Sequence, residues 1–405
     1  MKATNSQITP PPPSNVFSRS KHLLWSLVFN INESLGLIPG IWTSAHTAKL
    51  RKSNYKPEHT IDKIAVIANL RFSIEHLSNI LSYMDSTEYD IVYLGSTRLA
   101  GCLEYARKNN CKVVSVQALI KRRAAYRLAV TICCDNIVQR YGIEFIAQKI
   151  FMVQTAIDGS PPYFTDGVSK LPYDYLSCCG AYQKRRIENY IKPDRLFMPG
   201  YPRITNHHAD KIQTEQIIYS KAKRGINCGK KTILWLPSHT RTTSIYTFAP
   251  MLAKIQTEYN IIVKPHPLLL NVEKFMRKSA PEIIVINNVP NEKLFPAADF
   301  VICDYGGSVF LAIMADKNVL FFNARDSEAP PAVLPENVPE LVIRDRIINF
   351  YPDEKDKFFA ALKDDDIWEK QKEIRRQIRA EFFTDNPNPA RDIADLCRRI
   401  MKGEV

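Results

Sequence analysis

Short apolar runs recur along most of the chain, and between them apolar positions return every third or fourth residue. The first pattern predicts buried strands and the second amphipathic helices. Strands are expected at Ile64–Leu70, Ile91–Leu94, Val113–Val116, Ala129–Cys134, Ile150–Thr155, Tyr175–Cys179 and Leu196–Met198, with helices at Ile74–Met84 and Arg98–Lys108. A polar, basic stretch, Lys211–Lys231, separates these from a second series at Ile233–Leu236, Ile261–Lys264, Ile283–Ile286, Val301–Asp304 and Val319–Phe322. Strands alternating with helices make a parallel, doubly wound sheet. Two such series in 405 residues predict an α/β protein of two Rossmann-like domains with a cleft between them.

The ends of the chain read differently. Lys355–Phe382 is one long amphipathic pattern, closed by the breaker run Asp385-Asn386-Pro387-Asn388-Pro389 before a terminal helix, Ala390–Met401. Residues 1–15 are polar and proline-rich, a composition that disfavours a packed core. From Phe17 to Trp42 the tryptophans Trp25 and Trp42 lie among apolar residues and the basic pair Arg19 and Lys21, and Lys49, Arg51, Lys52 and Lys56 follow. Pro39 and Gly40 break this stretch before it reaches the length of about 18 apolar residues that spans a bilayer. It suits an element lying on an anionic membrane surface, and a helical hairpin packed on the body of the protein is the competing reading. The domains expected are therefore 1–60 as tail and interfacial segment, 61–210, 211–385, and a C-terminal helix at 386–405.

Charge narrows the partners. With 55 basic against 42 acidic residues the chain carries +13, which favours an anionic partner such as a nucleotide phosphate, a polyanionic polymer or a membrane surface. Nucleic acid is disfavoured because the sequence shows no helix-turn-helix or aromatic RNA-binding sheet. The nine cysteines include no Cys-x-x-Cys spacing, which argues against a disulfide framework and a zinc site. No metal site is expected. A reducing cytoplasm fits this usage, and Pro10–Pro13 interrupts any signal-peptide pattern.

Candidate chemistry gathers at strand ends, where open α/β sheets hold ligands. Lys264-Pro265-His266-Pro267 places an imidazole between two residues of fixed φ, suited to binding a phosphate oxygen or moving a proton. A turn histidine at the strand end is its plain alternative. Asp304-Tyr305-Gly306-Gly307-Ser308 offers two glycines for close backbone approach and a serine at an expected N-cap, before a helix at Val309–Asp316 whose first-turn amides favour an anion. It is not a Walker loop, and a purely structural cap explains it as well. Pro237-Ser238-His239-Thr240-Arg241 adds hydroxyls, an imidazole and a guanidinium at a third strand end. Gly200-Tyr201-Pro202-Arg203 marks a domain junction or a solvated loop.

Taken in order, Pro237-x-x-x-Arg241, Lys264-Pro265-His266-Pro267, Ala298 to Tyr305 with its small-residue pair, Val309-Phe310 and Val319-Leu320-Phe321-Phe322 resemble the CDP-glycerol glycerophosphotransferase family of teichoic-acid and capsule polymerases. The likeness covers roughly Phe151 to Ala324. It implies a GT-B fold, with the donor nucleotide held by the second domain through Ser238, His239, Thr240, Arg241, Lys264, Asp304, Gly306, Gly307 and Ser308. The family histidine of Arg/Lys-x-His-Pro maps to His266. Where the family has Trp-His-Gly, this chain reads Ala156-Ile157-Asp158-Gly159-Ser160, so Asp158 takes the place of the expected base, beside Gly159. The Gly-x-Pro-Arg motif ends as Arg203-Ile204-Thr205, and one serine of the family's pair is Gly307.

The resemblance implies a cytoplasmic transferase at the inner face of the cell membrane. It takes a CDP-activated alcohol to a polymer or lipid-linked acceptor, with catalysis by Asp158 and His266 and no certain cofactor. A nucleotide-sugar glycosyltransferase of the same fold and a catalytically silent nucleotide-binding scaffold are the alternatives. An aspartate ordinarily titrates near 3.9, so the assigned base requires burial to raise it.

Overall fold

A computed structural model describes residues 46–405 apart from 69–70, 95–98, 133–137, 140, 158–171, 204–210, 223–224, 239–242, 268, 270, 288 and 324–337. The chain divides into two compact units. One comprises residues 1–155, 161–203 and 384–405, the other residues 156–160 and 204–383.

The sheet of the first unit contains β1 (His59–Ala68), β2 (Tyr89–Tyr93), β3 (Lys112–Ser115), β4 (Ala124–Thr131), β5 (Ala147–Val153), β6 (Tyr175–Ser177) and β7 (Leu196–Phe197). All pair in parallel, in the order β3-β2-β1-β4-β5-β6-β7. Alternate side chains of each strand enter different cores, as a pleat of period two requires. Ala65, Ile67 and Ala129 join one cluster, and Ile64, Val66, Leu128 and Val130 join the other. The second cluster is completed by the C-terminal helix Pro389–Lys402, which contributes Ala390, Ile393, Ala394, Leu396, Cys397 and Ile400. Arg398 ties that helix down by a two-pronged pair with Glu88 (2.8 and 2.9 Å) and a hydrogen bond to the Tyr83 carbonyl at 2.6 Å.

The second sheet holds β8 (Thr232–Leu236), β9 (Asn260–Val263), β10 (Ile284–Val285), β11 (Phe300–Cys303), β12 (Asn318–Phe322) and β13 (Asn349–Phe350). It too is parallel, in the order β10-β9-β8-β11-β12-β13. β8 and β11 are buried throughout, as central strands covered on both faces must be. Their core includes Trp235, Phe248, Phe322 and Trp368, with the Phe248 and Phe322 rings stacked at 3.9 Å. In both sheets the chain starts in the middle, winds outward through two strands, and then reverses. The reversal falls between β1 and β4 in one and between β8 and β11 in the other.

Several boundaries differ from the sequence reading. Lys355–Phe382 is two helices, Lys355–Ala361 and Asp365–Phe382, because the Asp364 side chain accepts the Ile367 amide at 3.1 Å and starts the second. Lys211–Ala222, read as a polar separator, is helical. β5 stops at Val153, and the two-residue β13 was too short to register as a strand pattern. The interfacial segment up to residue 45 lies outside the described residues. Within the basic cluster that follows it, Arg51 is held by the protein itself, bonded to Glu144 and to the Gln139 carbonyl at 2.6 Å. Among the described residues no helix is long and apolar enough to cross a membrane. The buried Cys178 and Cys397 thiols are pushed up to about 12 by burial, as small core residues rather than reactive thiols.

Candidate functional site

The switch point of the second sheet sets the geometry of the candidate site. β11 pairs with β8 so that Cys303 lies opposite Leu236, and β8 pairs with β9 so that Trp235 lies opposite Val263. The next residues of each strand, Asp304, Pro237-Ser238 and Lys264, therefore leave the sheet together at its carboxyl edge. This is the place where a doubly wound sheet opens a crevice for a ligand.

Lys264 and His266 are each half-buried, and the intervening Pro265 is buried. The Lys264 amide donates to the Trp235 carbonyl at 2.8 Å, extending the ladder one step beyond β9. The Leu269 amide donates to the His266 carbonyl at 2.9 Å and closes a turn over Pro267. Two ring-fixed φ angles and two backbone bonds thus hold this loop.

Asp304 stands at the end of β11, as the sequence suggested, but turns its side chain inward. It is 1% exposed, and its carboxylate faces inward. Oδ1 accepts the Ser238 amide at 2.7 Å and the Tyr305 amide at 2.6 Å; Oδ2 accepts the Ser244 amide at 2.8 Å and the Ser244 hydroxyl at 3.0 Å. Burial pushes the Asp304 carboxyl above its ordinary value, and the bonds from Ser244, Tyr305 and Ser238 draw it back down. The carboxylate is a brace between the β8 and β11 loops. It holds the candidate site in shape from beneath.

Above this brace, Gly306 adopts φ of +109°, and an added Cβ there would meet nothing within 4 Å. The turn therefore opens onto free space and needs glycine for its backbone, whereas Gly307, at φ −70°, does not. The helix that follows is Ser308–Met314, with no side-chain cap bond. Ser308 is its first residue, and the Ser308 hydroxyl lies 3.5 Å from Asn291 Nδ2.

Of the residues chosen from sequence, the donor-binding candidates Ser238, Lys264, Asp304, Gly306, Gly307 and Ser308 and the catalytic candidate His266 come to one edge of one sheet. His239, Thr240 and Arg241 lie outside the described residues, as do Asp158 and Gly159. Arg203 is half-buried at the end of the first unit's central segment, where its carbonyl accepts Asn79 Nδ2 at 2.7 Å. Sequence reasoning missed Ser244, whose hydroxyl also accepts Trp235 Nε1 at 2.9 Å. A serine before the apolar helix Ile245–Leu252 is a recognisable start signal, but that signal does not announce a bond to a distant carboxylate. Arg344 was missed as well. It is 9% exposed, bonded to the Asp304 carbonyl and Asn323 Oδ1, and lodged between Tyr305 and Phe321. Burial lowers its pKa, and Tyr305, Asp304 and Glu340 oppose that shift.

Residues 169–329 match the family model of CDP-glycerol:poly(glycerophosphate) glycerophosphotransferases. Among solved structures, the wall teichoic acid polymerase TagF is 14% identical, over 91% of this chain and 98% of that one, with a TM-score of 0.62. A putative UDP-N-acetylglucosamine 2-epimerase from Listeria monocytogenes is 13% identical over 84% and 96%, with a TM-score of 0.55. Anabaena HepE, solved with UDP and glucose, is 10% identical over 83% and 99%, with a TM-score of 0.52. No curated protein sequence matches. The matched segment contains β8, β9, β11 and every described loop of the candidate site, so the chain shares the GT-B fold of these structures, and its residues 169–329 are similar to the CDP-glycerol:poly(glycerophosphate) glycerophosphotransferase family.

Proposed function

We propose that this protein transfers an alcohol phosphate, glycerol phosphate or a similar polyol phosphate, from a CDP-activated donor to a cell-surface polymer or its lipid-linked precursor. The observation that carries this reading is the coincidence of the family match with the switch-point edge: residues 169–329 bring Ser238, Lys264, His266 and the Gly306 turn to one place. Lys264 and His266 supply cationic or donor groups for the diphosphate oxygens, and the Gly306–Gly307 backbone allows them close approach. His239, Thr240, Arg241 and Ser308 complete the donor side of the proposal. Asp304 braces it.

In the reaction an acceptor hydroxyl oxygen attacks the phosphorus that bears the alcohol. One P–O bond forms as the bond to CMP breaks, CMP leaves with the electron pair, and the hydroxyl proton passes to Asp158. Catalysis rests on positioning and charge neutralisation, since phosphoryl transfer asks little covalent chemistry of the protein. Gly159 and Arg203 belong to the acceptor side of the proposal, and the basic, tryptophan-bearing N-terminal segment is proposed to bring the protein to an anionic membrane surface.

The likeness to HepE, whose structure holds UDP and glucose, supports a second reading, glycosyl transfer from a nucleotide sugar by the same fold. Incubation with CDP-glycerol, CDP-ribitol and a panel of nucleotide sugars separates the two. Release of CMP from a CDP-alcohol is expected. Release of a nucleoside diphosphate from a sugar donor, with no CMP from any CDP-alcohol, would replace the first reading by the second.

A further inference from the structure

A buried guanidinium is an expensive way to fill space, and a well-packed apolar side chain of similar volume serves a core at least as well. Arg344 nevertheless sits buried with its Nε lacking a hydrogen-bond partner among the described residues. Its planar head lies 4.1 Å from the centroids of both the Tyr305 and Phe321 rings. One end donates to the Asp304 carbonyl and the other to Asn323 Oδ1. Asn323 continues the chain of bonds, donating from Nδ2 to Asn349 Oδ1 at 2.8 Å and from its amide to the Phe350 carbonyl at 2.9 Å. With Asp304 reaching Ser238 and Ser244, one continuous network ties the carboxyl ends of β8, β11, β12 and β13.

The Gly306 turn depends on this network. Gly306 has no side chain to anchor it, and no described residue lies within 4 Å of where a Cβ would project. The residues just before it, Asp304 and Tyr305, are held by Arg344 at the carbonyl of one and the ring of the other. We infer that Arg344 is a positioning residue, which fixes the Tyr305-Gly306-Gly307 turn in the shape that receives the diphosphate of the nucleotide donor without touching the donor itself. The inference rests on reading that turn as the donor-phosphate site. Neither obvious substitute meets the requirement: lysine lacks the flat fork that stacks between two rings while donating at both ends, and methionine donates nothing.

The full-length variants Arg344→Lys and Arg344→Met test this through binding of CDP-glycerol and CMP by calorimetry, urea stability, and hydrogen exchange by peptide. Binding is expected to weaken about 10-fold or more, the equivalent of one or two well-placed hydrogen bonds. Exchange should rise in peptides spanning 236–244 and 303–310 and stay unchanged along the helix Asp365–Phe382. Binding within twofold of the wild type in both variants would overturn the inference, as would a uniform rise in exchange across the second unit, the mark of a merely structural role. Should the Arg344 variants fail to fold, Asn323→Ala removes one anchor only. A smaller loss in the same direction then supports the inference, and unchanged binding overturns it. Should the wild type bind UDP and not cytidine nucleotides, the CDP-donor reading fails while the same comparison made with UDP still judges Arg344. A wild type that binds neither overturns both.

Discussion

Replacing Asp304 by alanine removes the acceptor of four hydrogen bonds in one stroke. The three amides left behind belong to Ser238, Ser244 and Tyr305, which are 8%, 5% and 9% exposed, so bulk water does not replace the carboxylate. Each orphaned donor costs about 1–3 kcal/mol, and burying a carboxylate is itself costly, so the low end of that range applies and the net loss is roughly 3 kcal/mol. Asp304→Asn keeps Oδ1 for Ser238 and Tyr305 and sets an NH₂ against Ser244, where the hydroxyl can accept but the amide cannot. One mismatch remains, for a loss of about 1–2 kcal/mol. Urea unfolding followed by tryptophan fluorescence reads this unit once Trp25 and Trp42 are replaced by phenylalanine, because Trp235 and Trp368 both sit in its core and Trp235 donates to Ser244. At an m-value of about 1–3 kcal/mol/M the alanine midpoint should fall by about 1 M or more. An alanine variant within about 0.5 kcal/mol of the wild type would refute the bracing role, as would an asparagine variant as damaged as the alanine one.

Other predictions address separate parts of the chain. Gly306→Ala should cost about 1 kcal/mol of stability through its left-handed φ alone, with no steric clash, and a loss above about 3 kcal/mol in the same urea assay would contradict the open space seen there. His266→Ala should slow donor turnover about 10- to 100-fold, the value of one charge-assisted hydrogen bond; unchanged turnover would return His266 to a structural turn residue. Arg398 holds the Glu88 carboxyl below the usual range, chiefly by side-chain hydrogen bonding, so the stability it adds is present above the unfolded value and lost as pH falls through the depressed one. Glu88→Gln should thus weaken amide protection of the helix Pro389–Lys402 by up to about 1 kcal/mol at neutral pH and by nothing once the pH has fallen below the depressed value, and a defect that persists there would show that packing rather than charge is lost.

What the sequence disclosed follows from the range of each interaction. Central strands such as β8 and β11 announce themselves as unbroken apolar runs because both faces are covered, and the loops after them were found because they follow such runs. Asp304 was correctly placed but given the wrong orientation: a carboxylate at a strand end looks the same in sequence whether it faces a ligand or the loop beside it. Arg344 carried no signal, since its partners Asp304, Tyr305, Phe321 and Asn323 lie at or just beyond the ends of β11 and β12, which only the fold brings beside it. The break between Lys355–Ala361 and Asp365–Phe382 was legible in Asp364, a capping residue just ahead of the helix, but the amphipathic pattern ran across it and concealed the stop.

The return of residues 384–405 to the first unit bears on how the protein is made. Until the helix Pro389–Lys402 emerges, the face of the first sheet formed by Ile64, Val66, Leu128 and Val130 has no cover from it, although those strands leave the ribosome early. The second unit, apart from residues 156–160, is one uninterrupted stretch, and all of its sheet is synthesised before that helix. Synthesis order and folding order are therefore inverted: the unit whose sheet is made later can close first, while the unit whose strands come earlier waits for residues 389–402. A nascent chain stalled before residue 389 should leave Ile64, Val66, Leu128 and Val130 incompletely covered and open to chaperones, and a frameshift at that point should disable the unit whose strands come earlier in the chain.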